Sequence, residues 1–325
     1  MIDVAIVGAG PCGLAAAIAA QRAGLRAVTY DASCLVSGIY GYPTELVFFS
    51  TAERLAIGGV PFICATDKPT RRDALAYYRG VAAHFALDLR LYERVERITP
   101  ERGAFTLQTR PLGGEPRTER AGAVVIATGY FGRPNLLHVP GEDRPHVTHF
   151  FHEGHVGFAQ EVVVVGGGNS AVEAALALHR AGARVTIVHF APALDPNIKP
   201  WVLPDISGRV ADGAIRTRFG ARVRSIEAEH VIVETPGGAE RLEARHVYLM
   251  VGFQPNTTLL EQLGVPIERE TGIPVHDPAT METSVPGVFI AGVLASGCAA
   301  NKTFIENGRH HGDLIAARLA PAHTI

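Results

Sequence analysis

No C-x-x-C or C-x₄-C pair occurs among the four cysteines, Cys12, Cys34, Cys64 and Cys298. A dithiol relay needs two sulfurs close enough to bridge, so one built on neighbouring cysteines is excluded. Scattered cysteines of this kind read as reduced, mostly structural thiols. Lysine is scarce too, with three against 27 arginines, an imbalance that suits a GC-rich genome better than heat resistance. Charge of one sign does not dominate: the net charge is −2, which argues against nucleic acid as a partner. No uninterrupted apolar run is long enough to span a bilayer, and no charged n-region and h-region precede the first strand. The expectation is a soluble, cytoplasmic protein with no membrane partner. At 325 residues and 47% apolar content, one or two domains with a sizeable core are expected.

What the chain does have, it has twice. Val4-Ala5-Ile6-Val7-Gly8-Ala9-Gly10-Pro11-Cys12-Gly13 returns 158 positions later as Val162-Val163-Val164-Val165-Gly166-Gly167-Gly168-Asn169-Ser170-Ala171. The register holds onward, with Arg22-Ala23-Gly24 answering Arg180-Ala181-Gly182 and Asp31 answering His189. One glycine-rich loop is weak evidence; two, each between an apolar β-branched run and an Ala-rich helix, are strong. Gly8 and Gly166 make the strand-to-helix turn, Gly10 and Gly168 admit a pyrophosphate, and Gly13 and Ala171 keep helix and strand close. The helix N-termini, at Pro11 and Cys12 in one copy and Asn169 and Ser170 in the other, face the phosphates. Two dinucleotide sites imply a flavoprotein oxidoreductase.

The copies differ where the ribose is read. Asp31 offers a carboxylate to a ribose diol, as expected for FAD. His189 and Phe190 present none to repel a 2′-phosphate, so the second copy leans to NADPH. No arginine follows directly; Lys199 or Arg209 would supply the positive charge.

Apolar strands alternating with helices predict parallel sheets covered on both faces. Val124-Val125-Ile126-Ala127-Thr128-Gly129 and Val247-Tyr248-Leu249-Met250-Val251-Gly252 are buried strands that end on glycine turns. The expected fold is α/β, with two Rossmann-like, three-layer nucleotide-binding domains. Residues 1–130 and 252–325 would form a discontinuous FAD domain around an NADPH domain at 131–251. A helix is predicted over 71–86, with Leu75, Tyr78, Val81 and Ala82 inward, a strand near 89–98 and a last helix near 301–319.

Several side chains have two readings. Cys12, at a helix N-terminus, is a candidate catalytic thiol with a lowered pKa, or a small residue required beside the FAD pyrophosphate, which would raise that pKa. Tyr40, Tyr42, Ser50 and Thr51 would line the flavin or pack a loop, and Val95 would contact the adenine. Asn301, Lys302 and Thr303, opening the last helix, would stabilise negative charge on the reduced flavin. His146, His149, His152 and His155 recur every third residue, but no cysteine or acid set completes a metal site, so none is expected.

Over essentially its full length the chain resembles flavoproteins of the thioredoxin reductase type. The match rests on GAGPCG at 8–13, ATGYFGRPN at 127–135, VVGGGNSAVEAAL at 164–176, VGFQPNT at 251–257 and VPGVFIAGV at 285–293. Within that type it is most similar to the bacillithiol disulfide reductase family. That narrower match rests on PCG at 11–13, YPTELVFFSTAERLAIGGVPF at 42–62, IKPWVLP at 198–204 and NKTFIENGRHHG at 301–312. The resemblance implies FAD contacts from Ala127, Thr128, Gly129, Gly292 and Val293, NADPH contacts reaching Gly252, and a homodimer or homotetramer. It also implies reduction of a small-molecule disulfide. Two departures from thioredoxin reductases stand out: the redox-active C-x-x-C is missing, its place taken by His149–His155, and the flavin-holding Gly-Asp reads Gly292-Val293. An NADPH–ferredoxin or flavodoxin reductase, a flavin-dependent monooxygenase and a flavin redox sensor are the alternatives.

Overall fold

A computed structural model describes residues 1–299 and 302–320. Asn301 therefore lies outside the described residues. The chain divides into two compact units: Met1–Gly41, Leu46–Arg133 and Phe253–Ile325 in one, Tyr42–Glu45 and Pro134–Gly252 in the other.

The first unit opens on β1 (Ile2–Val7), buried along nearly its whole length. Pro11 then starts α1 (Pro11–Arg22), where its missing N–H costs nothing. Every residue of α1 from Gly13 to Ala20 is buried, so small side chains let the helix lie close on the sheet. β2 (Ala27–Tyr30), α2 (Ser37–Tyr40), α3 (Ala52–Leu55) and α4 (Arg71–His84) follow. A capping box starts α4: the Thr70 hydroxyl accepts from the Asp73 N–H, and the Asp73 carboxylate accepts from the Thr70 N–H. The predicted single strand near 89–98 is split into β3 (Leu89–Arg90) and β4 (Glu93–Glu101). Tyr92, at φ +55°, makes the break and donates its N–H to the Ser33 carbonyl. β5 (Ala104–Pro111) and β6 (Arg117–Ile126) complete this stretch.

In the second unit come β7 (Val147–Thr148), β8 (Glu161–Val165), α5 (Asn169–Arg180), β9 (Arg184–His189) and α6 (Leu203–Ala211). They are followed by β10 (Arg216–Phe219), β11 (Arg222–Ile226), β12 (His230–Thr235), β13 (Gly238–Glu243) and β14 (His246–Leu249). A parallel sheet runs β10-β9-β8-β14-β7, and β11-β12-β13 form an antiparallel sheet. Alternation along β8 sorts the layers: Val162 and Val164 pack with residues of α5 and α6, while Val163 and Val165 pack with Val231, Val233 and Leu242. Helices, parallel sheet and antiparallel sheet make three layers. Asn135 closes the unit, its N–H donating to the Gly252 carbonyl at 3.0 Å and its Nδ2 to the Val251 carbonyl at 3.0 Å.

The chain returns to the first unit with α7 (Thr258–Gln262), β15 (Val288–Ile290), α8 (Ile305–Gly308) and α9 (His311–Leu319). Its sheet runs β3-β2-β1-β6-β5-β4, with β15 parallel to β6. The last helix predicted from the sequence is thus two pieces, and Lys302 and Thr303 lie in the segment before α8 rather than in a helix's first turn. Two close approaches to α1 accompany the break. A Cβ on Gly308 would lie 2.9 Å from the Cys12 sulfur, and one on Gly312 would lie 2.7 Å from the Ala16 Cα.

Candidate active site

Both glycine loops repeat one steric pattern. A Cβ on Gly8 (φ +114°) would lie 2.3 Å from the Ala127 carbonyl oxygen. On Gly166 (φ +134°) it would lie 2.3 Å from that of Met250. In each unit, therefore, the strand that neighbours the first one crosses directly over the loop, leaving no room for a side chain. The second glycines are the opposite case: a Cβ added to Gly10 or Gly168 would meet nothing within 4 Å. That open space, at the N-terminus of a helix with uncapped N–H groups, is what a pyrophosphate needs. Gly13 is closed again, its Cβ position 1.9 Å from the Gly8 carbonyl oxygen, and Ala171 is fully buried.

In the first unit Asp31 is pinned by two backbone donors. Ala9 N–H donates to its Oδ2 and Ser33 N–H to its Oδ1, each at 2.8 Å. Burial pushes the carboxyl upward from its ordinary value, and these N–H groups oppose that rise. Thr128, following the strand over Gly8, donates its hydroxyl to the Asn256 carbonyl, and Gly129 turns at φ +65°. Val95 packs in the apolar core.

Cys12 sits differently from a reactive thiol. Its sulfur faces Gly292 and Gly308, so close that a Cβ on either would stand 3.2 or 2.9 Å from it. Burial pushes the thiol up to about 12, so the lowered pKa expected of a helix N-terminus is not met. The Gly292 N–H, a candidate flavin donor, is engaged within the protein: it donates to His311 Nδ1 at 3.2 Å. Burial, with His276 and His310 nearby, pushes His311 down to about 4, which keeps the ring neutral and able to accept. Val293 follows in a 3₁₀ turn, Gly292–Ser296.

Ser50 is buried, and its hydroxyl donates to Glu306 Oε1 at 2.8 Å, while Arg54 approaches Glu306 Oε2 at 3.5 Å. Tyr40 is exposed, with the Arg71 guanidinium 5.2 Å from its ring centroid. Asn307 holds the segment before α8, accepting from the Phe304 N–H and donating to the Lys302 carbonyl. Thr303 and Ser296 bond through their hydroxyls. The one-turn spacing of Glu306 and His310 in the sequence predicts an ion pair between them; Glu306 instead accepts from Ser50 and pairs with Arg54. Arg54, Phe304, Glu306, Asn307 and Arg309 line a cavity of about 390 Å³ on this unit.

In the second unit the side chains named from sequence prove partly committed elsewhere. Asn169 accepts from the Lys199 N–H and donates to the Asn197 carbonyl, tying down the loop after β9. Lys199 is ion-paired with Glu173 at 2.6 Å, and Arg209 with Asp205 at 3.2 Å. His189 folds over the loop: a Cβ on Gly167 would lie 2.4 Å from its ring. Burial lowers its pKa, and its buried Nδ1 has no partner among the described residues, an unmet bond at the C-terminal end of β9. Phe190 is exposed, and Arg222 lies over it, the guanidinium 5.2 Å from the ring centroid. Ser170 is exposed at the start of α5, and Gly252 turns at φ +89°. Of the four histidines at every third residue, His149 pairs with Glu142 at 3.5 Å. No helix among the described residues is long and apolar enough to cross a membrane.

The whole arrangement has counterparts among known proteins. The chain is 44% identical over 318 residues to the bacilliredoxin reductase Bdr of Bacillus subtilis, covering 97% of this chain and 96% of that one. The bacillithiol disulfide reductase Bdr of Bacillus cereus superposes with a TM-score of 0.96 at 43% identity, covering 98% of each chain. Thioredoxin reductase from T. acidophilum gives a TM-score of 0.74 at 25% identity over 98% of this chain and 97% of that one. The family described as pyridine nucleotide-disulphide oxidoreductase matches residues 5–292. With both glycine loops inside that match, the chain belongs to the pyridine nucleotide-disulphide oxidoreductase family, in its Bdr branch, and is an oxidoreductase that uses a flavin and a pyridine nucleotide.

Proposed function

We propose that the protein is a reductase that uses FAD and NADPH to reduce a low-molecular-weight disulfide, bacillithiol disulfide. The observation that carries this reading is the paired glycine loops, one ending at a pinned Asp31 and the other at a carboxylate-free His189. The full-length identity to proteins named for bacillithiol disulfide and bacilliredoxin supports the choice of acceptor. A bound flavin would supply the chemistry that links hydride donation by a nicotinamide to two-electron reduction of a disulfide.

The residues of the chain bind and orient. In the first unit Gly8, Gly10, Pro11, Gly13 and Asp31 hold the FAD pyrophosphate and ribose, with Ala127, Thr128 and Gly129 behind them. Gly166, Gly168, Ser170, Ala171 and His189 do the same for NADPH in the second. Cys12 serves as a small packing residue between α1 and the Gly292 turn, because a thiol at about 12 supplies almost no thiolate near neutral pH. Reduced thiols belong to the cytoplasm, where the protein would work as a homodimer or homotetramer.

Anaerobic mixing of the flavin-loaded protein with NADPH, then bacillithiol disulfide, tests this. Bleaching near 450 nm (roughly where oxidised flavin absorbs) followed by recovery at the turnover rate is the expected result. Bleaching with no recovery would remove the small disulfide as acceptor. Recovery only with an oxidised bacilliredoxin would move the acceptor to the protein named by the B. subtilis relative.

A further inference from the structure

Among the arginines of β9, β10 and β11, nearly all have a carboxylate. Arg184 and Arg216 share Glu161, Arg218 pairs with Glu240, and Arg224 approaches Glu234 at 3.7 Å. Arg222 has none within ion-pairing distance among the described residues, although it is exposed. Its cross-strand neighbour Glu234 is the one turned to Arg224.

Arg222 is nonetheless held in place. Its guanidinium lies over the Phe190 ring, 5.2 Å from the centroid, in cation–π contact. The neighbouring Ala221 N–H donates to the His189 carbonyl at 3.0 Å, which fixes the start of β11 against the end of β9. A flat cation with free donors thus stands beside the strand end that reads the adenosine ribose. Stacking on an aromatic face leaves a guanidinium's edge donors free for two-pronged contact with phosphate oxygens. Lys199 and Arg209, the other cations in reach by sequence, are committed to Glu173 and Asp205.

We infer that Arg222, seated on Phe190, is the residue that binds the 2′-phosphate and makes the second site select NADPH over NADH. This rests on the NADPH reading proposed above. Calorimetric titration of the flavin-loaded full chain with 2′,5′-ADP and with 5′-AMP tests both separately. The wild type should bind 2′,5′-ADP more tightly. Arg222→Ala should lose about 10- to 100-fold in affinity for 2′,5′-ADP, the scale of a charge-assisted pair, with 5′-AMP unchanged. Arg222→Lys should fall between. Arg216→Ala, which removes an equal charge at the other end of the strands, should bind both ligands as wild type does. Unchanged 2′,5′-ADP binding in Arg222→Ala, or equal losses for both ligands, overturns the assignment of Arg222 alone. A wild type that does not prefer 2′,5′-ADP overturns the NADPH reading and Arg222's role with it.

Discussion

Ser50 and Glu306, 256 positions apart, are joined by a 2.8 Å hydrogen bond from hydroxyl to carboxylate. Arg54 completes the group from the other carboxylate oxygen. The bond locks the loop before α3 to α8. Ser50→Ala removes the donor and leaves a largely buried carboxylate short of a partner, at a cost of about 1–3 kcal/mol. Urea unfolding of the flavin-loaded protein measures this. Glu306→Gln, which can still accept, should cost less.

Cys12 and Cys298 should separate under alkylation. Cys298 is exposed, whereas Cys12 is pushed up to about 12 and packed against two glycines. Iodoacetamide at about pH 8, near an ordinary thiol's pKa, should modify Cys298 and spare Cys12 when read by peptide mass spectrometry. Cys12→Ala should keep disulfide turnover within about two-fold, as expected for a group making no bond to the substrate; loss of turnover with full flavin occupancy would reinstate the thiol as a carrier.

The two open glycines make a matched pair of tests. A Cβ added at Gly10 or Gly168 meets nothing within 4 Å, so Gly10→Val and Gly168→Val should still fold. Gly10→Val should emerge with flavin occupancy reduced several-fold. Gly168→Val should keep its flavin and lose affinity for the pyridine nucleotide. Gly13→Ala, whose Cβ would sit 1.9 Å from a carbonyl oxygen, should instead fail to fold well in any state.

His311 predicts a pH dependence with a definite sign. Its ordinary value is 6.5, and in the folded protein it is pushed down to about 4. Between these values the unfolded chain binds a proton that the folded chain refuses. Its contribution is therefore complete above about pH 6.5 and is lost as pH falls toward 4. His311→Gln can still accept the Gly292 N–H but does not titrate. The melting temperature of the wild type should fall more steeply than that of His311→Gln across this window.

The doubled glycine pattern is legible in the sequence because Gly8 and Gly166 answer a local demand, the passage of a neighbouring strand over a tight turn. α4 is legible for a similar reason, since Thr70, Asp73 and the apolar spacing lie within one helix. The break between α8 and α9 is not. Gly308 and Gly312 look like ordinary small residues until α1 is packed against them, and helical spacing runs through the break. Lys199 and Arg209 are reasonable cations by proximity along the chain, but α5 and α6 supply the acids that hold them. Arg222 is 33 positions beyond His189 and becomes its neighbour only through the pairing of β10 with β9 and the turn at Ala221. In the sequence His189 signifies a missing carboxylate; that its ring folds over Gly167 depends on three dimensions.

The Asn135 side chain gives the second unit an unusual property. It ties the incoming segment to Val251 and Gly252, so the long excursion from 134 to 252 starts and finishes at almost one point. Such a segment can be lifted out of a gene and its host rejoined across a gap of a few ångströms, with little closure entropy lost on either side. Entry and exit held by one asparagine make this stretch a self-closing excursion, joined at its two ends by its own hydrogen bonds.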